Sequence, residues 1–256
     1  MHVSLQERLS TMTNSLTNQI AVVTGASSGI GRALAIALAA EGVAVFLAAR
    51  RAENLQAVAK TIHEANEKAR VWVCPTDLSR ELDIERLRSA VERETGSLDI
   101  LVHCGGAYGR GAMNQVTGAE FDELYQANVR GPFLLTNAVL PMLRARKGQI
   151  VFVNSSVGVS ARAGVGQFSA TQHALRAVAD VFREEVNLDG IRVLNMHLGR
   201  TATPRMQALY ERDAKLYRPE ALMQPEDVVA MAVAALRLPR TAEVTELHMR
   251  PLAKSY

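Results

Sequence analysis

The stretch Thr24-Gly25-Ala26-Ser27-Ser28-Gly29-Ile30-Gly31 constrains this chain more than any other. An apolar run, Ile20-Ala21-Val22-Val23, precedes it and reads as a buried strand; an alanine- and leucine-rich run from Arg32 to Ala40 follows and reads as a helix. Strand, glycine-rich turn and helix together aim backbone N–H groups and a helix N-terminus at one spot, where a pyrophosphate fits. Glycine permits both the tight turn and the close backbone approach. Outside this context a glycine motif says little. Inside it, two readings compete: a nucleotide phosphate site, which we expect, and a turn whose glycines serve helix–strand packing alone.

The rest of the sequence agrees with a single α/β domain. At 256 residues and 48% hydrophobic content, the chain is long enough for one well-buried core and short for two. Its 29 basic and 26 acidic residues are interleaved, leaving a net charge of +3 and no basic stripe for nucleic acid. No apolar run reaches the roughly 18 residues of a membrane span, so no membrane partner is expected. Residues 1–18 are polar and Ser/Thr-rich, without the apolar core of a signal peptide. They read as an extension of a cytoplasmic protein whose domain occupies residues 19–256. Cys74 and Cys104 each end an apolar run and read as reduced, buried thiols; no metal-ligand spacing is present.

Strand-like and helix-like runs alternate along the whole chain. Strands are expected at Val43–Ala48, Val71–Cys74, Ile100–Cys104, Ile150–Val153, Ile191–Met196 and Val244–Met249, with helices between them. One long helix is expected over residues 120–143, with Pro132 as a kink or a boundary. Residues 203–219 are polar with helical pieces and resist assignment. The alternation predicts a doubly wound, seven-stranded parallel sheet with helices on both faces, a Rossmann-like domain. Ligands of such sheets bind outside the C-terminal strand ends.

The end of the second strand bears on cofactor choice. A dinucleotide fold reads the adenosine ribose roughly 20 residues beyond the glycine loop. Here that point is Ala49-Arg50-Arg51, with no acid for a free 2′-hydroxyl and two guanidinium groups suited to a phosphate. NADP(H) is therefore favoured over NAD(H); the bland alternative is a pair of solvated charges at a helix start. Asp77 reads equally as an acceptor for an adenine amine and as an acid at a helix N-terminus.

The glycine stretch, Asp77, Leu98-Asp99-Ile100-Leu101-Val102, Asn128-Val129-Arg130-Gly131 and the Ser155 loop together resemble the short-chain dehydrogenase/reductase family over roughly Gln19 to Pro251. The resemblance implies a nicotinamide cofactor, a small carbonyl or alcohol substrate, a homodimer or homotetramer, and a cleft closed by residues 203–219. It implies cofactor contacts at Gly25, Ser27, Ser28, Gly29, Ile30 and Gly31, at Arg50 and Arg51, and at Asp77 and Leu78. Further contacts are implied at Cys104, Gly105, Gly106, Gln172, Gly199, Thr201 and Thr203.

Four positions carry the reaction in that family. Asn128 matches the Asn that holds a water relay. Ser155 matches the Ser that binds the substrate oxygen, since Gly158 follows it by three residues; Ser156 is the fallback. The remaining pair, Tyr and a Lys four residues later, is replaced: the chain reads Phe168-Ser169-Ala170-Thr171-Gln172. The spacing still puts positions 168 and 172 on one helix face, but Phe168 has no proton to give and Gln172 no charge. Removing one positioned general acid typically costs ~10²–10⁴-fold in rate. The resemblance therefore implies either an oxidoreductase with an altered proton relay or a cofactor-binding protein of different or no chemistry, such as a regulatory subunit, dehydratase or cyclase. The family's Asn-Asn-Ala-Gly segment is also altered, to His103-Cys104-Gly105-Gly106, where His103 and Cys104 read as packing variants or, more sharply, His103 as a polar contact near the cofactor. Leu198 replaces the usual proline before Gly199. Candidates to replace the missing acid are Tyr108, Tyr125, His173 and His197.

Overall fold

The computed structural model describes residues 16–253. The seven apolar runs become seven strands: β1 Ile20–Thr24, β2 Ala44–Ala49, β3 Val71–Pro75, β4 Ile100–His103, β5 Gln149–Ser155, β6 Arg192–Leu198 and β7 Glu246–Met249. Every pairing is parallel, in the order β3-β2-β1-β4-β5-β6-β7. The helices are α1 Gly29–Ala40, α2 Ala52–Ala65, α3 Glu81–Thr95, α4 Gly118–Tyr125, α5 Gly131–Arg146, α6 Gly166–Val186, α7 Pro204–Arg212 and α8 Pro225–Leu236. This is the doubly wound Rossmann-like architecture read from the sequence.

Alternate strand residues serve opposite layers, as the two-residue side-chain period requires. Val23, Val45, Val102 and Met196 pack with α1, α2 and α8 through Leu34, Leu55 and Val228. Val22, Phe46, Leu101 and Phe152 pack with α3, α5 and α6 through Leu87, Val139 and Phe182. Each fully buried Leu or Phe contributes roughly 1.5–3 kcal/mol, so both faces are needed and neither can slip by one residue. The domain begins slightly earlier than read from the sequence. Leu16 is fully buried, and the Asn18 N–H donates to the Gly42 carbonyl at 3.0 Å. The rest of the expected polar extension, residues 1–15, lies outside the described residues.

The single helix expected over 120–143 is three pieces: α4, a π-helical turn at Gln126–Arg130, and α5 with Pro132 in its first turn. The reason is Pro132. It has no N–H to offer the carbonyl four residues back, which is that of Asn128, and its ring crowds that carbonyl. The chain widens there instead, and the Gly131 N–H reaches back five residues to Gln126. The unassigned 203–219 region holds α7, followed by a 3₁₀ turn at Pro219–Ala221.

Strand order reverses between β1 and β4, which lie side by side while the chain leaves them for opposite faces of the sheet, α1 packing on one and α5 on the other. That divergence opens the crevice in which open α/β sheets bind ligands.

Candidate active site

The glycine stretch occupies the floor of this crevice. Thr24 fixes it: its hydroxyl donates to the Val102 carbonyl and accepts from the Cys104 and Gly105 N–H groups, joining the loops after β1 and β4. Two of the glycines are required by the protein itself. A Cβ on Gly25, which has φ +66°, would lie 2.7 Å from the Gly105 nitrogen, and one on Gly31 would lie 2.4 Å from the Gly25 carbonyl oxygen. The packing reading therefore accounts for Gly25 and Gly31. Gly29 is different. Its φ is +54°, and a Cβ there would meet only the side chain of Thr203, at 3.1 Å.

The rim of the loop suits an anion. Ser28 is the N-cap of α1 but makes no side-chain cap, and no acid stands in the helix's first turn. The first-turn N–H groups at Gly29, Ile30 and Gly31 are thus not capped by a side chain from Ser28, and the helix N-terminus carries partial positive charge. Ser27 and Ser28 flank them with hydroxyls. These features fit a nicotinamide dinucleotide's pyrophosphate.

The adenosine end is built from β2 and the turn after β3. Arg50 is exposed just past β2. Arg51 is the N-cap of α2 and is engaged by Asn54, whose amide oxygen accepts from its guanidinium at 3.1 and 3.2 Å. Asp77 accepts from both the N–H and the hydroxyl of Ser79, at 3.0 and 2.7 Å. Burial pushes its carboxyl upward, yet those bonds and the Arg50 and Arg80 guanidiniums outweigh it and hold Asp77 below the ordinary range. Both readings of Asp77 thus meet: it organises the turn before α3, and it sits under the influence of Arg50. Leu78 closes the corner, since a Cβ on Gly131 would lie 2.5 Å from its carbonyl oxygen and one on Gly105 would lie 3.2 Å from its Cδ1.

His103 packs inside the core, while Cys104, expected as a buried thiol, is partly buried against it. His103 is 2% exposed, stacks on Phe152 at 4.8 Å and meets the Thr136 hydroxyl at 2.8 Å. Burial lowers its pKa to about 3 and raises that of Cys104 to about 12, so both are neutral.

Asn128 sits in the π-turn, 2% exposed. Its Oδ1 accepts from the Ala107 N–H at 2.7 Å, while its Nδ2 donates to the Ala107 carbonyl and the Thr171 hydroxyl at 3.0 and 3.1 Å. One side chain thereby fixes both the loop after β4 and the helix that carries positions 168 and 172. Gly106 is held beneath it, since a Cβ there would lie 2.8 Å from Asn128 Oδ1. Ser155 ends β5, and its Oγ accepts from the Val157 N–H at 3.4 Å. Ser156 begins the following 3₁₀ turn. That turn packs directly on α6: the Asn154 amide donates to the Gln172 carbonyl at 3.1 Å, and a Cβ on Gly158 would lie 2.9 Å from the same oxygen.

Phe168 is half-buried in the first turns of α6, and the Tyr108 ring packs on it at 4.8 Å and 55°. Burial raises the Tyr108 pKa above its ordinary value, against the opposing pull of Arg110, Arg212 and Arg200. None of the other three candidates for the missing acid shares this placement. His173 is exposed and bonds the Ser169 carbonyl, Tyr125 is 44% exposed on α4, and His197 faces His248.

α7 spans the top of the cleft. Thr203 is its N-cap and lies over Gly29, Arg205 donates to the Gly106 carbonyl at 2.8 Å, and Arg110 pairs with Asp213 just beyond it. Sequence reasoning missed Arg205 and Arg110, whose exposed charges carry no motif. Thr201 sits at the start of this crossing, its hydroxyl on the Gly199 carbonyl at 3.3 Å. Gly199 is explained by the passing tail: its N–H donates to the Met249 carbonyl, and a Cβ would lie 3.1 Å from Pro251 Cδ.

A parallel doubly wound sheet with a glycine-loop crevice at its switch point defines a dinucleotide-binding α/β protein. The sequence matches the short chain dehydrogenase family model over residues 19–214, and the chain belongs to that family. It is 33% identical over 241 residues to the glycine betaine reductase of Emericella nidulans, covering 92% of this chain but spanning only 19% of that much longer protein. Its fold matches the alcohol dehydrogenase of the archaeon Thermococcus sibiricus complexed with 5-hydroxy-NADP, with a TM-score of 0.82 and 27% identity over 93% of this chain and 99% of that one. It also matches an actinorhodin polyketide ketoreductase with NADPH, with a TM-score of 0.83 and 28% identity over 91% and 95% of the two chains. No helix among the described residues is long and apolar enough to cross a membrane.

Proposed function

We propose that this protein binds NADP(H) in the crevice above β1 and β4 and acts on a small carbonyl or alcohol substrate with its proton-transfer step strongly suppressed. The observation that carries the proposal is the coexistence of an ordered cradle with Phe168 and Gln172 at the proton-transfer positions. The NADP-type ligands of the two solved relatives support the cofactor assignment, and Arg50 at the end of β2 supports the 2′-phosphate.

When bound, a nicotinamide supplies or accepts a hydride. The chain's own part is to hold the substrate oxygen and exchange a proton with it. Ser155 offers a hydroxyl to that oxygen. Phe168 offers nothing, and Gln172 can hydrogen-bond a ribose hydroxyl but cannot lower a neighbour's pKa. Tyr108, packed on Phe168 and held protonated, is the donor through which residual turnover runs. A cofactor-binding role without redox chemistry is the second reading, favoured by the Asn128 amide, whose three bonds are all structural.

The test is Phe168→Tyr combined with Gln172→Lys, assayed for NADPH oxidation on a panel of aldehydes and ketones. We expect a gain of roughly 10²–10⁴-fold over the natural chain, and Tyr108→Phe in the natural chain should remove the residual rate. A natural chain that turns over as fast as the double variant, and is indifferent to Tyr108→Phe, would overturn the proposal.

A further inference from the structure

We propose that the outer edge of the sheet carries a metal site formed by His197, Glu246 and His248, suited to Zn²⁺ or a neighbouring late first-row divalent ion. None of these residues belongs to the cleft described above, so the site stands independently of the cofactor assignment.

The ligand set follows from strand register. β6 and β7 pair His197 with His248, so the two imidazoles leave the same face directly opposite each other. Glu246 lies two residues before His248 and therefore shares that face. His197 Nε2 is 3.3 Å from Glu246 Oε1, and His248 Nε2 is 3.4 Å from Glu246 Oε2. The three ligand atoms all lie within 4.8 Å of one another. Around a tetrahedral zinc with bonds of about 2.0–2.1 Å, neighbouring ligand atoms sit roughly 3.3 Å apart. His197 Nε2 already stands at that separation from Oε1 of the carboxylate, and His248 Nε2 from its Oε2.

The two histidines differ in freedom. His197 has a fully buried side chain and is fixed, whereas the His248 side chain is 54% exposed. Their rings stack at 4.7 Å and 19°. Rotation of the exposed His248 ring brings its lone pair onto a shared ion and leaves an open coordination position toward solvent. The polar lining also continues inward. Asn195, the register partner of Glu246, is fully buried with neither amide atom partnered among the described residues. Such orphaned groups are rare and call for a water or ion nearby. Two imidazoles and a carboxylate favour zinc, nickel or copper over the hard, oxygen-seeking magnesium and calcium.

One group competes for the site. Arg176 on α6 holds Glu246 Oε1 at 3.1 Å. Asp180, one turn on, lies 3.8 Å from the Arg176 guanidinium and gives it a second partner when the carboxylate turns to a metal. This competition yields a signature that a purely structural polar cluster lacks: removing Arg176 tightens metal binding while removing His248 weakens it.

The test uses the full chain, free of any polyhistidine tag and stripped with EDTA, titrated with Zn²⁺ by calorimetry and with Co²⁺ by visible absorption. The expected result is one equivalent per chain, weakened at least about tenfold in His248→Ala, lost likewise in Glu246→Gln, and tightened in Arg176→Gln. Metal-free melting curves check that each variant is folded. Absence of saturable Zn²⁺ binding, or binding unchanged in both His248→Ala and Glu246→Gln, would overturn the site.

Discussion

His103 shows how burial sets chemistry one residue at a time. In the folded chain it is neutral, with its pKa lowered to about 3 by burial. In the unfolded chain it titrates near its ordinary value of about 6.5. Between those values the unfolded state binds a proton that the folded state refuses, so stability is complete above about pH 6.5 and falls as the pH drops. The single group should cost about 2 kcal/mol between pH 7 and pH 5. Melting curves should therefore be more acid-sensitive in the natural chain than in His103→Phe. The glycines divide by what surrounds them. Gly31→Ala should destabilise by about 1–3 kcal/mol, since its Cβ would lie 2.4 Å from a carbonyl oxygen. Gly118→Ala, with nothing among the described residues within 4 Å at the start of α4, should stabilise by about 0.4–1 kcal/mol. Denaturant titration separates the two. The sequence showed which glycines mattered as a group, but not that Gly25 and Gly31 answer to protein contacts while Gly29 faces Thr203. That distinction depends on loops brought together from residues far apart in the chain.

At the scale of elements, all seven strands and most helices were legible because their apolar periodicity is strong. Two features were not. β6 runs on through His197 and Leu198, past the expected end at Met196, because both residues pair with β7; a histidine inside a strand hides its end from a hydropathy reading. The π-turn at Gln126–Arg130 was also hidden, because a proline acts on the carbonyl four residues upstream rather than at its own position. That turn carries Asn128, and its single amide joins Ala107 to Thr171. α7 shows the same dependence on tertiary contacts. Arg205, which bridges to the Gly106 carbonyl, ties α7 across the cleft. Arg205→Ala should leave the fold intact and weaken NADPH binding by up to about 1 kcal/mol, roughly fivefold in Kd, measured by fluorescence titration.

On the proposed function, the whole molecule separates cofactor binding from proton transfer. Strand order β3-β2-β1-β4-β5-β6-β7 places the crevice at the β1–β4 junction. The fold class and the glycine crevice were readable in advance because they depend on local pattern and spacing. Phe168 and Gln172 at the proton-transfer positions are a reading of the sequence against the family's pattern. The packing of Tyr108 on Phe168 was not readable, because it joins a loop and a helix sixty residues apart. The central claim is that cofactor recognition survives where proton transfer does not. It is tested most directly by the thermal shift of the natural chain with NADPH and NADH in parallel. A ligand at 100 times its dissociation constant adds ~2.7 kcal/mol to stability. We predict clear stabilisation by NADPH, a smaller one by NADH, and loss of the difference in Arg50→Ala. No stabilisation by either cofactor, or equal stabilisation by both, would contradict it.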